Sequence, residues 1–124
     1  MVAEDYVPRR GDAVWLHFDP QTGHEQAGRR PALVLSPESY NGRVGLAILC
    51  PITSQVKGYP FEVALPAGSP ISGVVLSDQV KSLDWRARRA NLIQAVQIES
   101  HIASFEEISR IVRKRPAGFF YKFC

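Results

Sequence analysis

The chain has 124 residues, which fits one domain and leaves no room for a second. Hydrophobic residues make up 45% and charged residues 22%, values that exclude a disordered or fibrous chain. The net charge is +3, and most of the 15 basic residues are arginines in short clusters. Because arginine binds phosphate through two parallel hydrogen bonds, these clusters favour an anionic partner such as nucleic acid, with solvated surface charge as the alternative.

Short apolar runs separated by Gly and Pro occupy most of the chain before residue 100. Near-continuous apolar runs are typical of strands buried on both faces, whereas alternating runs are typical of strands with one exposed face. The residues between these runs, such as those from Ser36 to Gly42, are typical of turns. Their regular spacing predicts a small barrel or sandwich. The predicted strands are Asp12–Phe18, Pro31–Ser36, Val44–Cys50, Phe61–Leu65, Gly73–Leu76 and, more weakly, Asn91–Val96.

A helix is predicted late in the chain. Ser104 and Glu107 form a capping box, in which each side chain bonds a free backbone N–H at the helix start. Apolar residues then recur at helical spacing until Pro116, which cannot continue a helix. The tail from about residue 116 is rich in aromatic residues, so it either packs on the domain or contacts a partner.

Several common chemistries have no motif in this sequence. It contains no glycine-rich phosphate-binding loop of the P-loop or dinucleotide type. His17, His24 and His101 lie far apart and have no partner at the spacing of metal ligands. Two cysteines, Cys50 and Cys124, cannot build a disulfide framework, and Cys50 lies in an apolar run that suits a buried thiol. The sequence therefore predicts neither a metal nor a cofactor.

The N-terminus has no apolar signal core, and no stretch approaches the roughly 20 apolar residues of a membrane span. We therefore expect a soluble cytoplasmic protein without a membrane partner.

The loop between the first two predicted strands is the most informative segment. It runs from Phe18 to Pro31, and connections of this length are usually functional or disordered. A second polar group, Pro51–Gln55, follows the third strand. The loop concentrates polar and charged side chains between two apolar strands, namely Asp19, His24, Glu25, Gln26, Arg29 and Arg30.

This loop belongs to a series of short blocks that span about Tyr6 to Arg88: Gly11-Asp12, Trp15, Phe18-Asp-Pro20, Gly23, Glu25-Gln-Ala-Gly28, Arg30-Pro31, Leu35-Ser-Pro37, Tyr40-Asn41, Lys57-Gly-Tyr-Pro-Phe-Glu-Val63, Asp78-Gln-Val-Lys-Ser82 and Trp85-Arg-Ala-Arg88. In this order and spacing, they resemble the MazF/PemK-like toxins of bacterial type II toxin–antitoxin systems. The sequence departs from the family pattern at His24, where Ser is common, at Arg29, and after Arg89.

The resemblance implies a single domain over residues 1–124, mainly β with a short C-terminal helix, as a small SH3-like barrel of the MazF/CcdB/Kid type. It also implies a homodimeric toxin that cleaves single-stranded RNA at short sequences, without a metal ion or other cofactor. Such a toxin inhibits translation and growth as an mRNA interferase. Its cognate partner is a MazE-like antitoxin, whose acidic C-terminal segment lies over the groove between the protomers.

The family's catalytic positions correspond to Arg30 and Thr53, with Glu25 in the same cluster. Attack by the RNA 2′-OH on the adjacent phosphate gives a 2′,3′-cyclic phosphate and a 5′-OH end. In this reaction Arg30 and Thr53 stabilise charge on the phosphorane, and Glu25 serves as a base or orients Arg30. Family mechanisms often give the arginine an acid–base role as well. Without the resemblance, Arg30 is a surface arginine paired with Glu25, and Thr53 ends a strand.

RNA binding needs groups that hold phosphates and rings on which bases stack. Phe18 either stacks a base or packs in the core. His24 either titrates near neutral pH or is an ordinary solvated loop residue. Trp15 and Trp85 are predicted in the core or the dimer interface. The residues expected to contact phosphates or base edges are Lys57, Gln79 and Arg86.

Two other classes of protein remain as alternatives. One is a toxin without nuclease activity, such as a gyrase inhibitor of related barrel fold, and the other is a barrel that only binds RNA. The first has no need of the set formed by Glu25, Arg30 and Thr53, and the second does not cut RNA.

Overall fold

The computed structural model describes residues 6–18, 28–65, 69 and 71–95. These residues form a seven-stranded antiparallel sheet, one α-helix and one 3-10 helix. In chain order the elements are β1 (Asp12–His17), β2 (Arg29–Val34), α1 (Glu38–Val44), β3 (Leu46–Thr53), β4 (Glu62–Ala64), β5 (Val74–Leu76), the 3-10 helix (Ser77–Gln79), β6 (Lys81–Asp84) and β7 (Asn91–Ala95).

The strand β3 organises the sheet because it pairs with three other strands. One edge pairs with β2, with Ala32 opposite Pro51 and Val34 opposite Leu49. Along its length β3 also pairs with β6 near its start and with β5 at its end. The order of the paired strands is β4-β5-β3-β2-β1-β7, with β6 also joined to β3. The position of Thr53 at the end of β3 is therefore fixed by neighbouring strands.

Two apolar clusters lie on the two faces of β2 and β3. Alternate residues of β2 contribute to different clusters, Ala32 and Val34 to one and Leu33 to the other. Cys50 is fully buried in the second cluster, as the sequence predicted. Burial on both faces explains why the sequences of these two strands are near-continuous apolar runs.

The fully buried residue Asn41, together with Ser36, connects four parts of the fold. Its amide donates to the carbonyl of Pro8 at 2.8 Å and to that of Ser36 at 3.0 Å, and its Oδ1 accepts from the Ser36 hydroxyl. The backbone carbonyl of Asn41 accepts from Trp85 Nε1 at 2.9 Å. Ser36 Oγ in turn accepts from the N–H of Ile48 in β3 at 2.8 Å. Asn41 thus holds the N-terminal segment, α1, β3 and the turn after β6 together.

The segment before β1 is fixed by a second buried polar group, Asp12. Its Oδ2 accepts from the Tyr6 hydroxyl at 2.6 Å and from the Arg9 N–H at 3.0 Å. Burial and the hydrogen bond to Asp12 both raise the pKa of Tyr6, so its hydroxyl stays protonated and remains a donor.

Two elements differ from the sequence prediction. The helix α1 (Glu38–Val44) occupies most of the region interpreted as a turn between Ser36 and Gly42 and extends to Val44, which was predicted to begin a strand; Gly45 caps the helix in a left-handed conformation with φ of 85°. The sequence predicted a turn there because Asn and Gly have low helix propensity, and the helix instead depends on burial of Asn41. The strand β6 was not predicted because its four residues mix charged, polar and apolar side chains.

A mainly β fold with an antiparallel sheet is confirmed. Within the described ranges no pairing joins β4 to β7, so the sheet is not closed and the predicted barrel stays a prediction. The predicted C-terminal helix at Ser104 and the aromatic tail lie outside the described residues. In the part of the chain that the structure describes, no helix has the length and apolar character needed to cross a membrane.

We expect Asn41→Ala to destabilise the fold, because it leaves the buried backbone carbonyls of Pro8 and Ser36 without the amide that donates to them. Two buried groups without partners cost on the order of 2–4 kcal/mol together. The measurement is the free energy of unfolding in urea at one protein concentration. Ser39→Ala is the control, since Ser39 is exposed on the same helix and its loss changes stability by less than about 0.5 kcal/mol. Equal stability of the two variants would contradict the role given to Asn41.

Candidate functional site

Arg30 and Thr53 come together at one end of the β2–β3 pair. The pairs Ala32–Pro51 and Val34–Leu49 fix the register of these strands. This pairing ends at Ala32–Pro51, and Arg30 and Thr53 each lie two residues beyond it, so both residues are at the same end of the pair. Strand alternation puts both residues on the face of the first apolar cluster, beyond its edge. The core face of two central strands therefore ends in a guanidinium and a hydroxyl.

The hydroxyl of Thr53 is already used as an acceptor. Its Oγ1 accepts from the backbone N–H of Gln55 at 3.1 Å, a local bond common for Thr at the end of a strand. Because that bond occupies a lone pair and uses no hydroxyl proton, the O–H of Thr53 stays available to donate. This orientation suits a donor to an anionic oxygen.

The backbone of Thr53 is held by the close approach of Gly73. Gly73 has φ of 127°, and a Cβ built there lies 2.2 Å from the Thr53 carbonyl oxygen and 2.8 Å from its carbonyl carbon. Any side chain at position 73 collides with this carbonyl. Glycine therefore allows β5 to pack directly against the end of β3.

A cavity of about 270 Å³ lies beside Thr53. This size is just below the range of roughly 300–1,000 Å³ that is typical of pockets for drug-sized ligands. The cavity is lined by Thr53, Gln55, Lys57, Tyr59, Phe61, Glu62, Leu76, Asp78 and Gln79.

The segment between β3 and β4 is ordered by the carboxylate of Glu62. This carboxylate accepts from the N–H of Lys57, at 3.2 Å to each oxygen, and from the N–H of Gly58 at 2.9 Å. Gly58 has φ of 83°, the left-handed conformation that lets two successive N–H groups converge on one acceptor. The bonds hold the backbone of Lys57 at the cavity while its side chain remains exposed.

The arginine-rich turn after β6 is fastened to the start of β2. Arg29 Nη1 donates to the carbonyl of Arg89 at 3.3 Å. Arg88 Nη1 donates to the carbonyl of His17 at 3.1 Å, and the His17 N–H donates back to the carbonyl of Arg88 at 3.0 Å. Arg29 therefore has a structural role next to Arg30, because it ties β2 to this turn.

The structure brings together several residues predicted from the sequence. Thr53, Lys57 and Gln79 line one cavity, and Arg30 lies at the same end of the β2–β3 pair as Thr53. Arg86 is exposed on the turn outside this cavity, with its guanidinium carbon 5.0 Å from the centre of the Trp85 ring. Glu25, together with His24, lies outside the described residues.

The aromatic residues divide between core and surface. Phe18 is 2% exposed and belongs to the first apolar cluster, which is the core alternative stated for it. We therefore assign Phe18 to the core rather than to base stacking, since a buried ring offers no free face. Trp85 is likewise buried, whereas Trp15 is 41% exposed.

Sequence reasoning missed three residues at the site: Gly73, Glu62 and Tyr59. Gly73 was interpreted as the start of a strand, although an isolated glycine in a strand pattern often marks a close backbone approach. Glu62 and Tyr59 lie in the block Lys57–Val63 that carried the resemblance, but nothing local in the sequence indicates that they border a cavity. Among the described residues, no group of three or more His, Cys, Asp and Glu side chains has an arrangement suited to a metal ion.

Comparisons with a family model, with curated relatives and with solved structures all match this chain to MazF-like toxins. Residues 9–114 match the family described as PemK-like, MazF-like toxin of type II toxin–antitoxin system. The endoribonuclease toxin MazF of Escherichia coli K12 is 58% identical over 85 residues, which cover 68% of this chain and 76% of the relative. The crystal structure of MazF (form I) from Deinococcus radiodurans is 55% identical, with a TM-score of 0.80 over 87% of this chain and 94% of that one. A MazE–MazF structure (form II) from the same organism has 55% identity, the same coverage and a TM-score of 0.74.

We expect Gly73→Ala to destabilise the protein more than Gly45→Ala does. Both glycines have positive φ, so each alanine costs about 1–3 kcal/mol of backbone strain. A Cβ at Gly45 meets no atom within 4 Å, whereas the Cβ at Gly73 collides with Thr53 and adds about 1–3 kcal/mol. The measurements are urea unfolding and the NMR resonances of Thr53, which shift in Gly73→Ala alone. Equal losses of stability with unmoved Thr53 resonances would contradict the contact.

Proposed function

Because the chain belongs to the PemK-like, MazF-like toxin family of type II toxin–antitoxin systems, we propose that it has the activity named for its relatives. It is the toxin of such a pair and an endoribonuclease that cleaves single-stranded RNA, acting as an mRNA interferase. The observation that supports this activity best is the Thr53 hydroxyl at the end of β3, which accepts from the Gln55 N–H without using its own proton and borders a cavity, at the same end of the β2–β3 pair as Arg30.

The reaction we propose uses the RNA's own 2′-OH as nucleophile. A bond forms between O2′ and phosphorus, and the bond between phosphorus and O5′ breaks. The 2′-OH proton passes to a base, and a proton is delivered to the departing O5′. The products are a 2′,3′-cyclic phosphate and a 5′-OH end. The protein has to position the strand and stabilise the negative charge that builds on the phosphorane oxygens.

Arg30 and Thr53 carry this stabilisation in our proposal. The guanidinium of Arg30 stays protonated in proteins and matches two non-bridging oxygens at once. The Thr53 hydroxyl donates one further hydrogen bond to the same phosphate, and its bond from Gln55 supports that direction. A preorganised donor of this kind acts most strongly where charge develops, in the transition state.

The proton transfers need at least one titratable group. We propose that Glu25, four residues before the start of β2 in the sequence, removes the 2′-OH proton or orients Arg30. Lys57 and Gln79 contact phosphates or base edges beside Thr53, and Arg86 binds phosphate from the neighbouring turn. Their contribution to affinity is largely electrostatic and therefore falls with salt.

We further propose a homodimer in the cytoplasm, bound by a MazE-like antitoxin. The exposed ring of Trp15 offers an apolar surface for pairing between protomers. A disordered acidic segment of the antitoxin can cover the basic groove and block the phosphate-binding side chains at once. In the same proposal, the sheet is part of a single SH3-like barrel domain over residues 1–124, completed by a helix near Ser104.

The central test is a chimeric RNA with a 2′-deoxy sugar at the single nucleotide 5′ of the mapped cut. We expect this change to abolish cleavage and leave binding largely intact, because phosphate charge and stacking supply most of the affinity. Cleavage of the all-ribose strand should proceed in excess EDTA, since the nucleophile is the sugar hydroxyl rather than metal-bound water. Mass spectrometry of the products identifies the end groups. Efficient cutting of the deoxy strand, a 5′-phosphate end, or binding without any cutting would contradict the proposed reaction.

Substitutions at the two proposed catalytic positions should lower the rate of single-turnover cleavage with little loss of RNA binding. Arg30→Ala should lose on the order of 10²-fold or more, as when one preorganised donor to an oxyanion is removed. Thr53→Val should lose less, because a neutral hydroxyl makes a weaker hydrogen bond than a guanidinium. Arg43→Ala, which removes an exposed arginine on α1, is the matched control and should cut at the wild-type rate. A wild-type rate for Arg30→Ala would remove Arg30 from the mechanism.

A further inference from the structure

The exposed ring of Tyr59 has no role in the reaction described above. Tyr59 is 51% exposed and stacks on Phe61, with ring centroids 5.2 Å apart and planes 20° from parallel. Because one ring face lies against Phe61, the exposed area belongs largely to the opposite face and the ring edge. Large exposed aromatic rings beside a cavity are typical of binding sites. The cavity beside Tyr59 is the one that Thr53 borders.

The segment that carries Tyr59 is preorganised. Tyr59, Pro60, Phe61 and Glu62 form a β-turn closed by a hydrogen bond of 3.1 Å from the Glu62 N–H to the Tyr59 carbonyl. Proline at the second position of such a turn has its φ angle already fixed. The Glu62 carboxylate holds the preceding residues through the N–H groups of Lys57 and Gly58. The ring therefore sits on a segment whose backbone loses little entropy on binding.

Two walls of the cavity are joined by hydrogen bonds. The carbonyl of Phe61 accepts from the N–H of Ser77 at 3.2 Å and from the Ser77 hydroxyl. Ser77 begins the 3-10 helix that carries Asp78 and Gln79, both of which line the cavity. The stacked rings are thus fixed relative to the polar side chains that face the same space.

We propose that Tyr59 is the platform on which one unpaired RNA base stacks, in a subsite between Tyr59 and Thr53. The inference rests on the proposed RNA cleavage and deepens it, because it assigns the binding of a base next to the reacting phosphate. Lys57, on the same segment, supplies a cation for the strand's backbone, and Gln79 supplies hydrogen-bonding groups for a base edge. The subsite takes over the stacking role that the buried Phe18 cannot fill.

The alternative occupant is a segment of the antitoxin, which can also pack on an exposed ring. The observations favour a base because the cavity combines the exposed face of a stacked aromatic pair, several polar side chains and the Thr53 hydroxyl in a space of about 270 Å³. An apolar peptide anchor needs an apolar pocket, whereas most residues that line this cavity are polar or charged.

The test combines the variant Tyr59→Leu with a set of RNA strands, each lacking one base. The probe is the mapped cut sequence with a 2′-deoxy sugar 5′ of the cut, so that it binds without being cleaved. Removing a stacked base or its platform should weaken binding by about ten- to hundredfold. We expect the affinity of the wild-type protein to fall by this factor when one particular base near the cut is absent. The affinity of Tyr59→Leu should be lower by the same factor on the intact strand, and it should fall no further on that abasic strand.

Matched variants separate stacking from other effects. Tyr59→Phe keeps the ring and should bind as wild type does. Val56→Ala shortens another exposed apolar side chain of the same segment that does not line the cavity, and it should have no effect. The dependence of affinity on salt should be unchanged in Tyr59→Leu, whereas Lys57→Ala should lower the slope of log K against log[salt] by about 0.7. Thermal unfolding checks that each variant is folded.

Three outcomes would overturn the subsite. In the first, Tyr59→Leu binds the intact strand as wild type does. In the second, the loss of affinity in Tyr59→Leu adds to the loss caused by each missing base in turn, which means that no single base stacks on the ring. In the third, Tyr59→Leu weakens the complex with the cognate antitoxin but not with RNA, which makes the ring a protein contact. If wild type itself binds no RNA, the proposed function fails, and the subsite fails with it.

Discussion

The buried carboxamide of Asn41 is the constraint on which the candidate site depends. It fixes Ser36, which follows β2, and the Ser36 hydroxyl in turn accepts from Ile48 in β3. The connection between β2 and β3 is therefore fixed at the end of the pair far from the site. Because a slip of one residue exchanges the two faces of a strand, this connection also sets which side chains emerge at the other end. Arg30 and Thr53 share that end of the pair as a consequence of hydrogen bonds made many residues away.

Around Thr53, too, the contacts that fix the backbone are different from the group proposed to act on RNA. Its backbone is held by the close approach of Gly73 and by pairing with Val74 of β5, and its hydroxyl oxygen accepts from the N–H of Gln55. None of these contacts uses the hydroxyl proton. A hydroxyl fixed in this way needs little reorganisation energy when negative charge develops beside it. A single preorganised donor has a large effect on the reaction rate under that condition.

The sequence predicted most strands because their signal is local, whereas the missing features are not local. Burial on both faces makes β2 and β3 apolar throughout, so they are recognisable without knowledge of their neighbours. The helix α1 was missed because its reason for forming, the burial of Asn41, depends on Pro8 and Trp85. Thr53 and Arg30 were found through the resemblance, since nothing in their local sequence brings two residues so far apart to one strand end.

Gly73 and Tyr59 show the same limit at the site itself. Gly73 is required by a carbonyl twenty residues earlier in the chain, and the sequence shows only an isolated glycine before an apolar run. The choice between Phe18 and Tyr59 as a stacking ring depends on burial, which composition cannot decide for two aromatic residues in loops. The exposed fractions, 2% and 51%, decide it.

The charges around the cavity suggest how a strand lies across it. Glu62 and Asp78 bring carboxylates to the lining, and a carboxylate repels phosphate but accepts from the amino groups of bases. The Glu62 carboxylate also accepts from two backbone N–H groups, which partly compensate its negative charge within the protein. The side chain of Lys57 is exposed, where it meets the backbone of a strand rather than its bases. This distribution favours a base directed inward, towards Tyr59 and the acceptors, and a phosphate directed outward, towards the cations and the Thr53 hydroxyl. An RNA strand held in that direction presents its sugar and phosphate to the end of the β2–β3 pair, where Arg30 and Thr53 lie.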